Sequence, residues 1–156
     1  MDMTLYELRA PRVPSASSPA PSPAPSSAGT VLVVDDDPDF RGVVGVAFTR
    51  AGYTVHEADN GNAALAVLRD HRVDLVVTDI IMPEADGYEV ILRLKQQPSR
   101  PPLIAVSGGS LRLRMELPGM ARLLGAEAAF EKPVDLGALL TEAGRLIDAR
   151  RTGGAE

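Results

Sequence analysis

Residues 31–41 read VLVVDDDPDFR. Four apolar, mostly β-branched residues run straight into three aspartates and a proline. An apolar run without alternation is what a strand covered on both faces requires. The aspartates end it. Asp37 suits a helix N-cap. Pro38 suits the first helical turn, where its fixed φ fits and its missing N–H costs no hydrogen bond. The stretch predicts a buried strand, an acidic loop and a helix, the repeating unit of a parallel α/β sheet.

The same unit recurs toward the C-terminus. In the first helix Val43, Val44, Ala47 and Phe48 are spaced for one apolar face, and Gly52 can close the helix in the left-handed conformation. Residues 53–58 read as a second strand and Asp59-Asn60-Gly61 as a turn. Residues 62–71 read as a helix with Ala64, Leu65 and Leu68 inward. LVVT at 75–78 is a third buried strand, ending at Asp79 and followed by the loop IIMPEADG. A helix over 88–97 is stopped by Pro98, Pro101 and Pro102. Residues 103–106 form a fourth strand that ends at Ser107-Gly108-Gly109. A longer segment containing Pro118-Gly119 leads to a helix at 120–124. A short fifth strand at 128–130 precedes Glu131-Lys132-Pro133, and Asp135 caps a last helix that runs to about Arg150. Five strands alternating with five helices imply a doubly wound, parallel five-stranded sheet of flavodoxin-like (βα)5 type. The expected strand order is 2-1-3-4-5.

Composition divides the chain into three parts. Residues 1–29 include PSASSPAPSPAPSSAG at 14–29, almost wholly Pro, Ala and Ser. Such a stretch cannot bury enough apolar surface to offset the entropy of ordering, and reads as a disordered tether. With polyproline II bias, at ~3.1 Å per residue, it reaches roughly 45–50 Å. Leu5, Tyr6 and Leu8 ahead of it form a small apolar patch: a ragged terminus, or a docking peptide held on the tether. Residues 30–150 form the folded domain, and residues 151–156 a flexible tail. The 45% of hydrophobic residues supply a core. With no cysteine in the chain, disulfides, thiol catalysis and Cys-based zinc sites are excluded. A net charge of −5 argues against a nucleic-acid binder. No apolar run reaches the ~20 residues that span a bilayer, and the N-terminus lacks the pattern of a secretion signal. The expectation is a cytoplasmic protein without membrane insertion.

The chemistry-bearing side chains all fall at the C-terminal ends of predicted strands. Asp35 and Asp36 follow the first, Asp79 the third, Ser107 the fourth and Lys132 the fifth. In an open α/β sheet ligands bind beyond those ends, where the strand order reverses. Carboxylates crowded there repel one another, so either their pKa values split or a divalent cation sits among them. Hard oxygen ligands in a shallow cleft suit Mg²⁺, which keeps several waters and takes phosphate oxygens. A lysine head is a mobile charge for a phosphoryl oxygen, a serine hydroxyl can donate to another, and a carboxylate can act as covalent nucleophile. Asp37 and Asp135 read as helix caps, Glu131 as an exposed charge, and His56 and His71 as surface residues rather than phosphoryl carriers. The Asp35-Asp36-Asp37 run also offers the Asp-x-Asp pair of a haloacid-dehalogenase-like phosphatase. No acidic pair after a later strand completes that site, however, and Asp79 would have no role in it.

The stretches VLVVDDDPDFR (31–41), DLVVTDIIMPEADGYEV (74–90), LIAVSGG (103–109) and LGAEAAFEKPVDL (124–136) resemble the receiver domain of bacterial two-component response regulators, of the stand-alone type. The resemblance implies that Asp79 is the phosphoacceptor, and that Ser107 and Lys132 contact the phosphoryl group. Asp36 would ligate Mg²⁺ directly and Asp35 through water, and the Ile81 backbone carbonyl would be a further ligand. Pro133 would follow a cis peptide bond. The implied partners are a histidine kinase or histidine phosphotransferase and a downstream protein target. Weak homodimerisation through the fourth helix, fifth strand and fifth helix is left open. The protein would assist its own phosphorylation without being an enzyme in the ordinary sense. The alternative is a pseudo-receiver, an interaction module independent of phosphorylation. One departure stands out. Family members often carry Tyr or Phe three residues before the lysine, where this chain has Ala129. Phe130 is one residue along and so points to the other face. Activation would then be read out through the Gly108-Gly109 loop instead. Ile81 and Gly109, two residues after Asp79 and Ser107, carry no group that could orient an attacking water, which implies slow dephosphorylation.

Overall fold

The computed structural model describes residues 28–79, 92–97, 99–108 and 125–154. The proposed tether up to residue 27, the loop at 80–91 with Ile81 and Gly87, and the segment 109–124 with its expected helix lie outside the described residues. So do residues 155 and 156. The described elements are β1 (Thr30–Val34), α1 (Pro38–Arg50), β2 (Thr54–Ala58), α2 (Gly61–Asp70), β3 (Leu75–Asp79), β4 (Leu103–Ser107), β5 (Ala128–Glu131) and α3 (Leu136–Gly154). Residues 92–95 are also helical, within the helix expected at 88–97. No described helix is long and apolar enough to cross a membrane.

The five strands form one parallel sheet in the order β2-β1-β3-β4-β5. Two apolar layers cover it, because side chains alternate between its faces. Leu32, Val34, Val76, Leu103 and Ala105 pack on one face with Ala64 of α2 and Leu94. Val31, Val33, Leu75, Val77, Ile104 and Val106 pack on the other with Val44 and Phe48 of α1 and Leu139, Ala143 and Ile147 of α3.

Local chemistry sets the boundaries. Asp37 accepts the Asp39 N–H with Pro38 at the start of α1, Asn60 accepts the Ala63 N–H at the start of α2, and Asp135 accepts the Ala138 N–H at the start of α3. Gly52, at φ +100°, turns the chain after α1 as its position predicted. Two inward faces differ from expectation. Val43 is 54% exposed, because α1 centres its buried stripe on Val44, Gly45 and Phe48. With about 100° per residue, Val43 falls well off that stripe. Leu65 is only partly buried for the same reason, and α2 turns Ala63, Ala64, Val67 and Leu68 to the sheet instead. The last helix also runs past Arg150 to Gly154, taking in Arg151 and Thr152, whose hydroxyl donates to the Asp148 carbonyl. Most of the expected tail is thus helix.

Candidate functional site

At the C-terminal edge of the sheet β1 and β3 are neighbours, and each ends in a carboxylate. Val34 pairs in register with Thr78, so Asp35 and Asp79 leave adjacent strands at the same level. Asp35 is fully buried and Asp79 is 5% exposed, while Asp36 is exposed. One carboxylate oxygen from each of Asp35, Asp36 and Asp79 lies within 4.8 Å of the others.

Lys132 answers this charge from the end of β5. Its Nζ stands 2.8 Å from Asp35 Oδ2 and 3.3 Å from Asp79 Oδ2. Burial alone would lower the pKa of this ammonium, but its close pairing with the Asp35 and Asp79 carboxylates outweighs it and holds the pKa above the ordinary lysine range. Lys132 is therefore cationic at neutral pH. Its backbone N–H donates to the Ser107 carbonyl at 2.7 Å, which ties it to the end of β4, and Lys132-Pro133 is cis as expected. Ser107 is fully buried, across the β4–β5 ladder from Glu131.

Asp35 is held from two sides. Its Oδ1 accepts the Asp37 N–H at 2.8 Å, and Arg41 Nη1 donates to its carbonyl at 2.7 Å. Arg41 is itself oriented by Glu57 on β2, with Nε to Oε1 at 3.1 Å. Asp35 Oδ2, by contrast, is buried and meets no aligned hydrogen-bond donor. The nearby Lys132 ammonium gives it charge but not a directed bond. A buried carboxylate oxygen without an aligned donor, beside two further carboxylates, fits a small hard cation.

The structure brings together Asp35, Asp36, Asp79 and Lys132, with Ser107 buried at the adjoining strand end. Ile81 lies outside the described residues. Two contributors, Phe40 and Arg41, were not singled out from the sequence, and a third, Gly108, was read there only as part of the readout loop. The Phe40 ring sits with its centroid 4.3 Å from Lys132 Nζ, a cation–π contact. Arg41 clamps the β1–α1 turn. Gly108 leaves room for the lysine stem: a Cβ there would lie 3.1 Å from Lys132 Cδ. A basic residue one turn into the helix after an acidic loop is a faint signal for Arg41. The Phe40 and Gly108 contacts join distant parts of the chain and leave no local pattern. The position of Ala129 is as expected: it packs on the α2 face of the sheet, and Phe130 packs on the opposite one.

The profile of the response regulator receiver domain matches residues 31–143. The chain belongs to this family. The receiver is 32% identical over 120 residues to the DNA-binding transcriptional regulator NtrC of Bradyrhizobium sp. (strain RP501 Parasponia), covering 77% of this chain and 24% of that protein. It is 36% identical over 110 residues to the transcriptional regulatory protein GlrR of Escherichia coli (strain K12), covering 70% of this chain and 24% of that one. The chain thus spans about a quarter of the length of these relatives. Among solved structures, NtrX from Brucella abortus superposes with a TM-score of 0.73 at 28% identity, over 81% of this chain and 29% of that one. A CheY-like receiver domain protein from Methanospirillum hungatei JF-1 gives 0.69 at 26% identity, over 80% of this chain and 98% of that one. Receivers are signalling modules that work with histidine kinases or phosphotransferases.

Proposed function

We propose that this receiver accepts a phosphoryl group on Asp79 from a phosphohistidine donor, with Mg²⁺ bound, and signals through the surface change that follows. The observation that carries the reading is the set of three converging carboxylates with Lys132 spanning Asp35 and Asp79. An Asp79 carboxylate oxygen attacks phosphorus. The new O–P bond forms as the P–N bond to the donor imidazole breaks, and the electron pair returns to that nitrogen. Asp35, Asp36, Asp79 and the Ile81 carbonyl would hold Mg²⁺, which when bound supplies positive charge against the phosphoryl oxygens. Lys132 leaves Asp79 for a phosphoryl oxygen, and the Ser107 hydroxyl donates to another. Arg41 keeps the β1–α1 turn in place while charge moves.

The partners in this reading are a histidine kinase or histidine phosphotransferase upstream and a protein target downstream. With Ala129 where family members often carry an aromatic side chain, the output runs through the loop after Ser107. Incubation with Mg²⁺ and acetyl phosphate, read by intact mass and peptide mapping, should give an adduct on Asp79. Asp79→Asn should abolish it. No adduct with acetyl phosphate or beryllofluoride would leave an interaction module independent of phosphate. Phosphotransfer from a panel of histidine kinases, with Asp79→Asn as control, then identifies the donor.

A further inference from the structure

Of the three large apolar side chains left exposed among the described residues, Val43 and Val46 project from the same side of α1. With Pro38, Ala47 and Leu136 of α3 they line a groove of 590 Å³ that runs the length of α1. Asp39 stands at one end of the groove and Arg50 at the other. The groove is lined by none of the acceptor-site side chains.

The path of the chain points to its occupant. The Ala28 N–H donates to the Gly52 carbonyl at 2.9 Å, so the N-terminal segment joins the domain just beyond the Arg50 end of the groove. Residues 10–27 upstream of that point are rich in Pro, Ala and Ser, and ahead of them stands the cluster Leu5-Tyr6-Glu7-Leu8-Arg9. Those 18 residues span about 23 Å as a coil and roughly 56 Å as a polyproline II helix. The 13 residues of α1 measure about 20 Å. The linker therefore matches the span it must cover, the condition under which tethering gives the highest effective concentration. Charges agree as well. The segment is acidic at Asp2 and Glu7 and ends in Arg9, which gives the Arg50 and Asp39 ends of the groove opposite charges to meet.

We propose that the segment Leu5–Arg9 docks in cis in the α1 groove, with Leu5, Tyr6 and Leu8 against Val43, Val46 and Leu136. A second copy of the chain is the weaker occupant. Two valines and a leucine fall well short of the interface of about 1,200 Å² that a stable dimer needs. A tethered segment holds with little intrinsic affinity, because a short linker supplies a local concentration on the order of millimolar. The test below needs no phosphoryl group, so its failure and the failure of the reading of Asp79 are distinguishable.

The chain has no cysteine, so one introduced thiol can be labelled cleanly. A nitroxide on Thr4→Cys in the full chain, read by ¹H–¹⁵N spectroscopy, should broaden the amides of Gly42, Val43, Val46 and Leu136. Val46→Glu, at an exposed position that does not support the core, should remove that broadening, as should Leu5→Ser with Leu8→Ser. Absent broadening, or broadening spread evenly over the domain, overturns the proposal. A mixture of ¹⁵N-labelled chain without nitroxide and unlabelled chain with it provides the control for a second copy. Groove broadening in that mixture assigns the site to a neighbouring molecule and overturns docking in cis.

Discussion

Lys132 lies between two carboxylates because Gly108 lets its stem pass. A Cβ at Gly108 would sit 3.1 Å from Lys132 Cδ and 3.4 Å from its Cβ. An alanine asks the flexible stem to yield by a few tenths of an ångström, whereas a branched side chain pushes it aside. Gly108→Ala should therefore take phosphate from acetyl phosphate at nearly the parent rate. Gly108→Val should slow the reaction by about tenfold or more, since a misplacement of about 1 Å can cost on the order of 100-fold. Gly108 is exposed, so the melting temperature should stay close to that of the parent chain. Equal rates for the two variants would show that the stem has room to spare. A second residue-scale expectation concerns Ile81, which cannot orient a water. Ile81→Asn should shorten the phosphoryl lifetime, followed as loss of the Asp79 adduct over time. An unchanged or longer lifetime counts against it.

Among the elements, the N-terminal edge of the sheet depends on one carboxylate. Asp74, 7% exposed, accepts the Thr30 N–H at 2.8 Å and returns its own N–H to the Thr30 carbonyl. Arg150 of α3 stands 3.7 Å from Asp74 Oδ1 and donates to the carbonyls of Val73 and Ser99. One side chain thus joins β1, β3 and the last helix. Asp74→Ala leaves the Thr30 N–H without its acceptor and should cost about 1–3 kcal/mol, measured as a lower urea midpoint at unchanged slope. In the middle of the outermost strand β2, His56 lies against His71 after α2, with ring centroids 4.3 Å apart. Burial first, and the charge of His71 second, lower the His56 pKa below the usual histidine value. A base with a depressed folded pKa gives stability that is present above its unfolded pKa and lost as pH falls. Stability should therefore decline below about pH 6.5. His56→Gln should flatten that part of the profile in thermal melts taken from pH 8 to 5. An identical slope in the variant would move the cause to other groups.

For the molecule as a whole, the sheet is clamped between two apolar layers, and Phe48 is the largest fully buried side chain among the described residues. Its ring meets Tyr53 edge-on, with centroids 5.3 Å apart. Phe48→Ala should cost about 3–5 kcal/mol, a large part of the 5–15 kcal/mol that holds a typical domain. Denaturant titration checks it, and a loss under about 1 kcal/mol would mean that the layer closes over the gap. Strand positions were legible in the sequence because fully buried parallel strands read as unbroken apolar runs, as in VLVV and LVVT. Alternation with helices and the handedness of crossovers narrowed the strand order, and 2-1-3-4-5 was expected as the common solution for a domain of this size. Helix faces were less legible. On α1 four apolar residues suit more than one stripe, and packing chose the one centred on Val44 and Phe48, where Gly45 lets the helix approach β2.

The sequence by itself determined which residues stand at the site, because strand ends carry Asp35, Asp36, Asp79, Ser107 and Lys132 in an order that the sheet topology brings together. Only the tertiary structure decided how they are held. Lys132 against Asp35 and Asp79, Phe40 over its ammonium and the room left at Gly108 are contacts between segments far apart in the chain. The physical reason is range. Burial and capping act within a few residues and mark a sequence locally, whereas a charge finds its partner only after the sheet has closed.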